Sequence, residues 1–324
     1  MGQPIIVVGS INSDLVVRVE QFPVAGETIP GAGFDTHPGG KGANQAAAVA
    51  RLGHPVHMIG RVGSDAFGAL LPSHLHDAGV DISSIAVSEG SSGVAIIAVA
   101  RSGENSIIVT PGANALLSPK DLDANLELLR GAAMVLTQLE IPLCTVEHLA
   151  QICEREGVPL VLDPAPVCRL PVEVLRATTW ITPNQIEVQQ ITCSQGLPES
   201  EEELRQVAEK MMELGPRNVL LKLGERGAYL ATHDGLRVQI PAYPVRVADT
   251  TAAGDAFNGA FAVALTRGLC PTQAAEFATA AAAISVTRRG ALPSMPTQAE
   301  VKDFLANNCG KGGPSRHETS KHER

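Results

Sequence analysis

Short apolar runs that alternate with amphipathic stretches constrain the fold of this chain more than any other feature. The runs lack polar–apolar alternation, as expected of strands covered on both faces, and they span 5–9, 134–139, 160–162, 180–182 and 219–223. Stretches of helical period lie between them, each followed by a glycine that favours a left-handed helix end, at 43–52, 122–130, 146–156 and 201–214. This order predicts a doubly wound α/β fold, with a mostly parallel sheet and helices on both faces.

Two segments depart from this order. Residues 15–38 and 92–110 alternate polar and apolar side chains, and within the second segment 93–99 and 105–110 flank a turn at 101–104. This pattern is typical of hairpins and predicts a small antiparallel sheet that stands apart from the main one. Such a sheet either covers a site or merely extends an edge, and the pattern favours neither.

The remaining elements complete a single predicted domain. They are a hairpin, 228–231 and 236–240, and three C-terminal helices, up to 267 and over 272–286 and 298–307. The final residues, 310–324, are charged and polar and lack the apolar side chains of a core. We expect this tail to be disordered and the domain to span 1–309.

Composition excludes several classes of function. The net charge of -9, from 25 basic and 34 acidic residues, repels phosphate backbones, and with only 3% aromatic residues few side chains can stack on bases, so no nucleic-acid partner is expected. No apolar run approaches the ~18 residues of a membrane span, and the start lacks a secretory signal. Six scattered cysteines without a C-x-x-C pair predict reduced thiols and a cytoplasmic location.

The segment 249–259, DTTAAGDAFNG, carries the clearest chemistry. Its small residues, Ala252, Ala253 and Gly254, stand where a helix begins. They leave backbone N–H groups uncovered with the helix dipole behind them, which favours an anion. Asp255 would lie beside this anion hole, able to accept a proton from a hydroxyl group that attacks a phosphoryl group. The simpler alternative is a favourable first-turn charge.

A second glycine-rich segment, 39–45, reads GGKGANQ and precedes an Ala-rich helix. Glycines there allow close approach of the backbone to a ligand, and Asn44 can reach back to polar groups. Taken alone the signal is weak, because Lys41 also fits a solvated surface charge. The chain has no Walker A sequence, and the turn 9–14 has one glycine where a dinucleotide-binding fingerprint needs three. A nicotinamide-dependent dehydrogenase is therefore disfavoured.

Together the two segments resemble the signatures of bacterial ribokinases, within the larger family of carbohydrate and nucleoside kinases related to the minor phosphofructokinase. The resemblance extends over about 5–305, and further matching stretches are 9–14, 138–140, 163–166, 184–187 and 287–291. It implies a ribokinase-like fold with the small sheet as a lid. It also implies an enzyme that transfers phosphate from ATP to the 5-hydroxyl of D-ribose.

The resemblance implies a sugar site and a transfer site. The sugar-binding positions are Asn12, Asp14, Gly40, Lys41, Gly42, Asn44, Glu140 and Asp255. A polyol needs paired donors and acceptors in fixed places, which carboxylates and amides supply. Asp255 would be the base, while the amides of 252–254 stabilise charge on the phosphoryl group. Without the resemblance, Asp14 would be a turn cap and Glu140 a surface charge.

Three cofactors follow from the same resemblance: ATP, Mg²⁺ and K⁺. The nucleotide positions are Lys222, Gly224, Glu225, Gly227, Gly254 and Thr279, with Asn184 and Glu187 orienting phosphate and magnesium. The last two also fit an ordinary amphipathic helix surface. The potassium positions are Asp249, Thr251, Ser285, Arg288, Gly290 and Ser294, mostly through carbonyl oxygens. Arg288 fits a cation at a helix C-terminus equally well.

Three positions depart from the family pattern. Residue 222 is commonly Thr or Ser in relatives and is Lys here, so its ammonium group is an alternative phosphate contact. Relatives often have Gly at 252, where this chain has Ala, and Asn at 163, where this chain has Asp. None of these changes removes the base or the anion hole.

The resemblance also implies a homodimer through the lid. Val94, Ile96, Ile97 and Val99, opposite 107–109, supply enough apolar surface. Kinases for deoxyribose, fructose or a nucleoside are the alternatives within the class. A nucleoside needs an aromatic sandwich, for which the lid offers mainly Phe22 and Phe34. A sugar-binding regulator without catalysis is the alternative from another class.

Overall fold

The computed structural model describes residues 2–194 and 196–308, so the predicted tail at 310–324 lies outside the described residues. The strands are β1 (Ile5–Val8), β2 (Asn12–Val19), β3 (Gly33–Gly39), β4 (Val56–Gly63), β5 (Ile85–Ser88), β6 (Gly93–Ala100), β7 (Asn105–Thr110), β8 (Met134–Thr137), β9 (Leu160–Leu162), β10 (Trp180–Ile181), β11 (Asn218–Lys222), β12 (Ala228–Ala231) and β13 (Arg237–Ile240). The helices are α1 (Lys41–Arg51), α2 (Ala66–Asp77), α3 (Pro119–Ala124), α4 (Leu126–Arg130), α5 (Leu143–Glu156), α6 (Val172–Ala177), α7 (Gln185–Thr192), α8 (Glu201–Glu213), α9 (Ala253–Thr266), α10 (Pro271–Ser285) and α11 (Gln298–Asn308).

A nine-stranded sheet forms the centre, in the order β13-β12-β11-β10-β9-β8-β1-β4-β5. Its pairs are parallel from β11 to β5, and the hairpin β12–β13 adds two antiparallel strands at the other edge. The predicted mostly parallel sheet is therefore confirmed. None of the helices in the described part of the chain is long and apolar enough to cross a membrane.

Both faces of this sheet are covered. In β1, Ile5 and Val7 pack into the core cluster that contains α1, α9 and α10, while Ile6 and Val8 pack into the cluster that contains α5 and α8. All four side chains are fully buried, which explains why the strand shows no polar–apolar alternation.

One helix prediction is wrong in detail. The stretch 122–130 forms two short helices, α3 and α4, that meet at Asn125. The glycine that follows, Gly131, has a φ of -82° and not the left-handed conformation predicted for it. By contrast, Gly157 ends α5 with a φ of 68°.

A second sheet of four strands, β3-β2-β6-β7, stands beside the main sheet. The pairs β2–β3 and β6–β7 are antiparallel, as predicted, while the central pair β2–β6 is parallel. The chain enters it at Asn12, four residues after β1 ends. The second sheet thus begins at the carboxyl edge of the main sheet, and every residue of β7 is exposed.

Helices α1 and α9 pack closely on one face. A Cβ atom on Gly259 would lie only 2.7 Å from Cβ of Ala48, so the approach of the two helices depends on glycine at this position. Side chains from the first turns of both helices meet, as the hydrogen bond from Asn44 to Asp255 shows. The two glycine-rich motifs, 210 residues apart in sequence, therefore form one site.

Candidate active site

Polar side chains converge at the carboxyl edge of the main sheet, where ligands bind in open α/β folds. Glu140, Asp163 and Lys222 lie at or just after the ends of β8, β9 and β11. The first turns of α1 and α9 face the same edge: the backbone amide of Lys41 donates to Glu140, and the Gln45 side chain joins Asp163 to Asp255.

Asp255 lies in the first turn of α9 and is 5% exposed. Its carboxylate accepts hydrogen bonds from Asn44 Nδ2 at 3.0 Å and Gln45 Nε2 at 3.1 Å. Burial raises the pKa of Asp255 to about 6, against the opposing charge of Lys41 and with the added negative charge of Asp163. The carboxylate is thus held in one orientation with a pKa suited to exchanging protons near neutrality.

The start of α9 leaves backbone donors free, although not the three that the sequence predicts. Among the described residues, the amides of Ala252, Gly254 and Asp255 have no protein acceptor, whereas the amide of Ala253 donates to the carbonyl oxygen of Thr250 at 3.2 Å. Residues 252–254 are half-buried, so this helix start is open to a ligand. The free donors at this helix start therefore include the amide of Asp255 and exclude that of Ala253.

Ala252, the residue before α9, adopts the left-handed conformation with a φ of 58°. A Cβ atom makes this conformation about 1 kcal/mol less favourable than for glycine. The turn thus takes a conformation that glycine would adopt without this penalty, at some cost in stability.

The proposed sugar side of the site is acidic. Ser10 Oγ donates to Glu140 Oε2 at 2.5 Å, and the backbone amide of Lys41 donates to the same oxygen at 3.2 Å. Burial, together with the negative charges of Glu140 and Asp255, raises the pKa of Asp14 to about 7. Asp14 therefore lies within electrostatic reach of Glu140 and Asp255, and as a residue of β2 it is not a turn cap. Glu140 is held by two hydrogen bonds and is not a free surface charge.

Two features fix the first residue of β2, Asn12, next to this site. Asn114 Nδ2 donates to Asn12 Oδ1 at 2.7 Å. Gly40 has a φ of 90°, and a Cβ atom there would lie 2.7 Å from the amide nitrogen of Asn12, so only glycine fits. Asn114 was not selected from the sequence, because it lies in a short 3₁₀ helix that is distant from both motifs along the chain.

Lys41 keeps its charge inside this acidic site. Burial alone would lower the pKa of its ammonium group, but the carboxylates of Asp255, Asp163 and Glu140 raise the pKa above the usual value. Lys41 is therefore a fixed cation between the carboxylates.

A buried polar chain that was not predicted connects the two sides of the site. Lys222 Nζ donates to Asp163 Oδ1 at 2.8 Å, and Gln45 Nε2 donates both to Asp163 Oδ2 and to Asp255 Oδ1, each at 3.1 Å. Gln138 Nε2 in turn donates to Gln45 Oε1 at 2.7 Å. Two sequence signals pointed here: Gln45 ends the 39–45 motif, and Asp163 follows a predicted strand.

Asn184 and Glu187 lie at the start of α7. Asn184 is the N-cap of the helix, and Glu187 lies in its first turn. The two form a reciprocal capping box: Glu187 N donates to Asn184 Oδ1 at 2.9 Å, and Asn184 N donates to Glu187 Oε2 at 2.7 Å. Burial raises the pKa of Glu187, while the charge of Lys222 opposes that rise. Glu187 is therefore electrostatically coupled to the site.

The other nucleotide positions follow β11. Gly224 and Glu225 belong to a short 3₁₀ helix, Gly224–Arg226, and Gly227 begins the turn into β12. Thr279 is buried in α10, where its hydroxyl donates to the carbonyl oxygen of Ala275 at 2.8 Å. Its hydroxyl is thus engaged within its own helix.

The proposed potassium positions form an oxygen-rich pair of segments. Asp249 accepts from the amides of Thr251 and Gly290, both at 2.9 Å, which fixes 249–251 against 285–294. Although burial opposes it, these hydrogen bonds hold the pKa of Asp249 below its usual value. Ser285 Oγ and Ser294 Oγ are 2.8 Å apart.

Arg288 is the exception in this group. Its guanidinium pairs with Glu300 Oε1 at 2.5 Å, so the side chain joins α11 to the end of α10. No cluster of three or more His, Cys, Asp or Glu suited to a metal ion occurs among residues 2–194 and 196–308.

Comparisons with known proteins agree with this geometry. Residues 3–298 match the model of the family described as "pfkB family carbohydrate kinase". The chain is 40% identical to a ribokinase of Haemophilus influenzae over 94% of this chain and 99% of that protein, and 35% identical to a deoxyribokinase of Salmonella typhi over the same shares. The solved structure of Arabidopsis thaliana ribokinase complexed with ribose and ATP matches with a TM-score of 0.87 and 37% identity, over 94% of this chain and 99% of that one.

Proposed function

This chain belongs to the pfkB family of carbohydrate kinases, and on that premise we propose that it transfers the terminal phosphoryl group of ATP to the 5-hydroxyl of D-ribose. One observation carries the proposal. A buried carboxylate with a pKa of about 6, Asp255, stands beside free amides at the start of α9. A base next to an anion hole is what phosphoryl transfer to an alcohol requires.

The transfer step follows from this arrangement. The 5-oxygen forms a bond to the terminal phosphorus of ATP, the bond from that phosphorus to the bridging oxygen breaks, and ADP leaves with the electron pair. Asp255 accepts the proton of the 5-hydroxyl. The amides of Gly254 and Asp255 stabilise charge on the phosphoryl oxygens. Because the transition state is loose, positioning and charge stabilisation contribute more than proton removal.

The sugar is proposed to lie between the second sheet and the main sheet. Asn12 and Asp14 extend from β2, while Glu140 and Lys41 face them from the main sheet side. Together they offer donors and acceptors for several hydroxyl groups. Deoxyribose is the main competing substrate, since it lacks only one of these hydroxyls.

Magnesium and potassium are proposed as the cations. Glu187, half-buried and coupled to the site, fits a water-mediated contact to Mg²⁺, which keeps several waters and binds few carboxylates. Bound Mg²⁺ would neutralise phosphate charge. The segments 249–251 and 285–294 carry several oxygen atoms, among them the carboxylate of Asp249 and the hydroxyls of Thr251, Ser285 and Ser294. These suit a large monovalent cation, whose charge would support the anion hole.

A homodimer through the second sheet is also proposed. Ile96 and Ile108 are cross-strand partners, and Phe34 lies on the same face by the register of β3, β2 and β6. Their exposures of 45%, 63% and 63% form an apolar face, which is typical of an interaction surface. The cytoplasmic location inferred from the cysteines stays a prediction.

A coupled assay of ADP release tests the function. It uses ribose, deoxyribose, fructose and adenosine, each in potassium and in sodium buffer. We expect turnover to be fastest with ribose and to rise in potassium. Tight ribose binding without turnover of any sugar would contradict the proposal and favour the non-catalytic regulator.

A further inference from the structure

The cation Lys222 is directed at the start of α9. Its ammonium nitrogen lies 3.4 Å from the position that a Cβ atom on Gly254 would occupy. The amide of Gly254 is one of the free donors of the anion hole. A side-chain cation and an unpaired backbone donor therefore border the same space.

Stability alone does not account for the ion pair that Lys222 forms. The side chains of Lys222 and Asp163 are only 14% and 3% exposed, with 2.8 Å between Nζ and Oδ1. Removing two charges from water costs about as much as their attraction returns, so a buried pair is weak evidence for a stabilising role. The pair holds the ammonium group of Lys222 beside the start of α9.

Resting on the function proposed above, we propose that Lys222 is a catalytic residue: its ammonium group contacts the terminal phosphoryl group of ATP and stabilises its charge during transfer. A Lys ammonium group is an established phosphate ligand and acts as a point charge.

Asp163 is the positioning residue for both reactants. One of its oxygens accepts from Lys222 and the other from Gln45, which also donates to Asp255. The same carboxylate thus orients the phosphate-binding cation and, through one amide, the base. This connection explains why an acidic residue follows β9.

Three variants test the proposal: Lys222→Met, Lys222→Arg and, as a matched control, Lys120→Met, whose lysine is exposed on α3. For Lys222→Met we expect kcat to fall about 10²-fold, as for loss of one transition-state donor, with KM for ribose within about threefold. We expect affinity for a non-hydrolysable ATP analogue, measured by calorimetry, to fall about tenfold, and affinity for ADP to stay within about twofold, because only the analogue carries the terminal phosphate. Lys120→Met should match the wild type.

Wild-type kcat in Lys222→Met would overturn the proposal, and so would an equal loss of affinity for the ATP analogue and for ADP. If Lys222→Met does not fold, Lys222→Arg decides. We expect it to fold, to bind the analogue within about threefold of wild type and to lose about tenfold in kcat, because a planar guanidinium does not reproduce the ammonium geometry. Wild-type kcat there would assign Lys222 to folding and overturn the proposal.

The two proposals fail in different ways. If the wild-type protein phosphorylates no sugar, the proposed function is contradicted. The binding measurements on Lys222→Met still decide whether residue 222 contacts a terminal phosphate, because they need no turnover.

Discussion

The carboxyl edge of the main sheet and the second sheet differ in which side chains they bury and which they expose. At the edge, charged side chains are buried and held by partners inside the same chain: Asp163 is 2% exposed and Asp255 is 5% exposed. On the second sheet, apolar side chains face outward, and Ile108 and Phe34 are each 63% exposed. At the edge, the charged groups find their partners within one chain, whereas the apolar face of the second sheet would be covered by a partner chain. Changes at the edge should therefore alter kcat, and changes on the sheet should alter association.

Substitution of Asp255 by Asn should have the largest effect. The amide keeps the shape of the carboxylate but does not accept the proton, so kcat should fall by roughly 10²–10⁴-fold. Ribose affinity, measured by calorimetry, should stay within a few-fold of wild type. An unchanged kcat would show that Asp255 is not the base. It would also contradict the expectation that changes at the edge alter kcat.

Lowering the pH should reduce kcat/KM for ribose in two steps. Both carboxylates act in the ionised form, and both have raised pKa values, about 7 for Asp14 and about 6 for Asp255. As pH falls, kcat/KM should therefore begin to decline near 7 and decline more steeply below 6, up to about a hundredfold per unit. In Asp14→Asn only the step near 6 should remain. A kcat/KM for ribose that is flat down to pH 5 would contradict both assignments.

Substitutions on the exposed face of the second sheet should change the oligomeric state of the protein and leave kcat nearly unchanged. Ile108→Glu places a charge in the proposed interface, and we expect the protein to change from two chains to one in sedimentation. Its kcat at saturating ribose should stay within about threefold of wild type. Val87→Glu, at a position 66% exposed in the edge strand β5 of the main sheet, is the control and should leave the mass unchanged. A monomeric wild-type protein would refute the dimer.

The smallest effect is expected at Ala252. Because this residue is left-handed with a φ of 58°, Ala252→Gly should relieve about 1 kcal/mol of backbone strain, partly offset by the greater entropy of glycine in the unfolded chain. Thermal unfolding should shift upward by no more than a few degrees. A clear decrease in stability would show that the Cβ atom of Ala252 stabilises the turn.

Much of the fold could be predicted because local sequence determines it. The buried strand at Ile5–Val8 and the start of α9 were both evident, since apolar runs and helix-starting small residues act over a few positions. The parallel pairing of β2 with β6 was not evident, because it joins segments about 80 residues apart that also fit hairpins. Sequence alternation reports the exposure of a strand and not the direction of its neighbour.

The site was predicted less completely than the fold. Asp14, Glu140 and Asp255 were selected from the sequence, and the fold places Asp14 within electrostatic reach of the other two. The network through Gln45 and Asp163 was missed because its members come from different elements, and only the packing of α1 on α9 brings them together. Local hydrogen bonding also changes one predicted detail: the amide of Ala253, expected to be a free donor, instead donates to the carbonyl oxygen of Thr250.

A crystal structure of the protein with ribose, ADP and aluminium fluoride tests the central claim most directly. We predict a planar fluoride group facing the amides of Gly254 and Asp255, and a ribose hydroxyl within about 3 Å of the Asp255 carboxylate, the reach of a general base. A fluoride group bound away from the start of α9, or a sugar with no hydroxyl group near Asp255, would contradict the account.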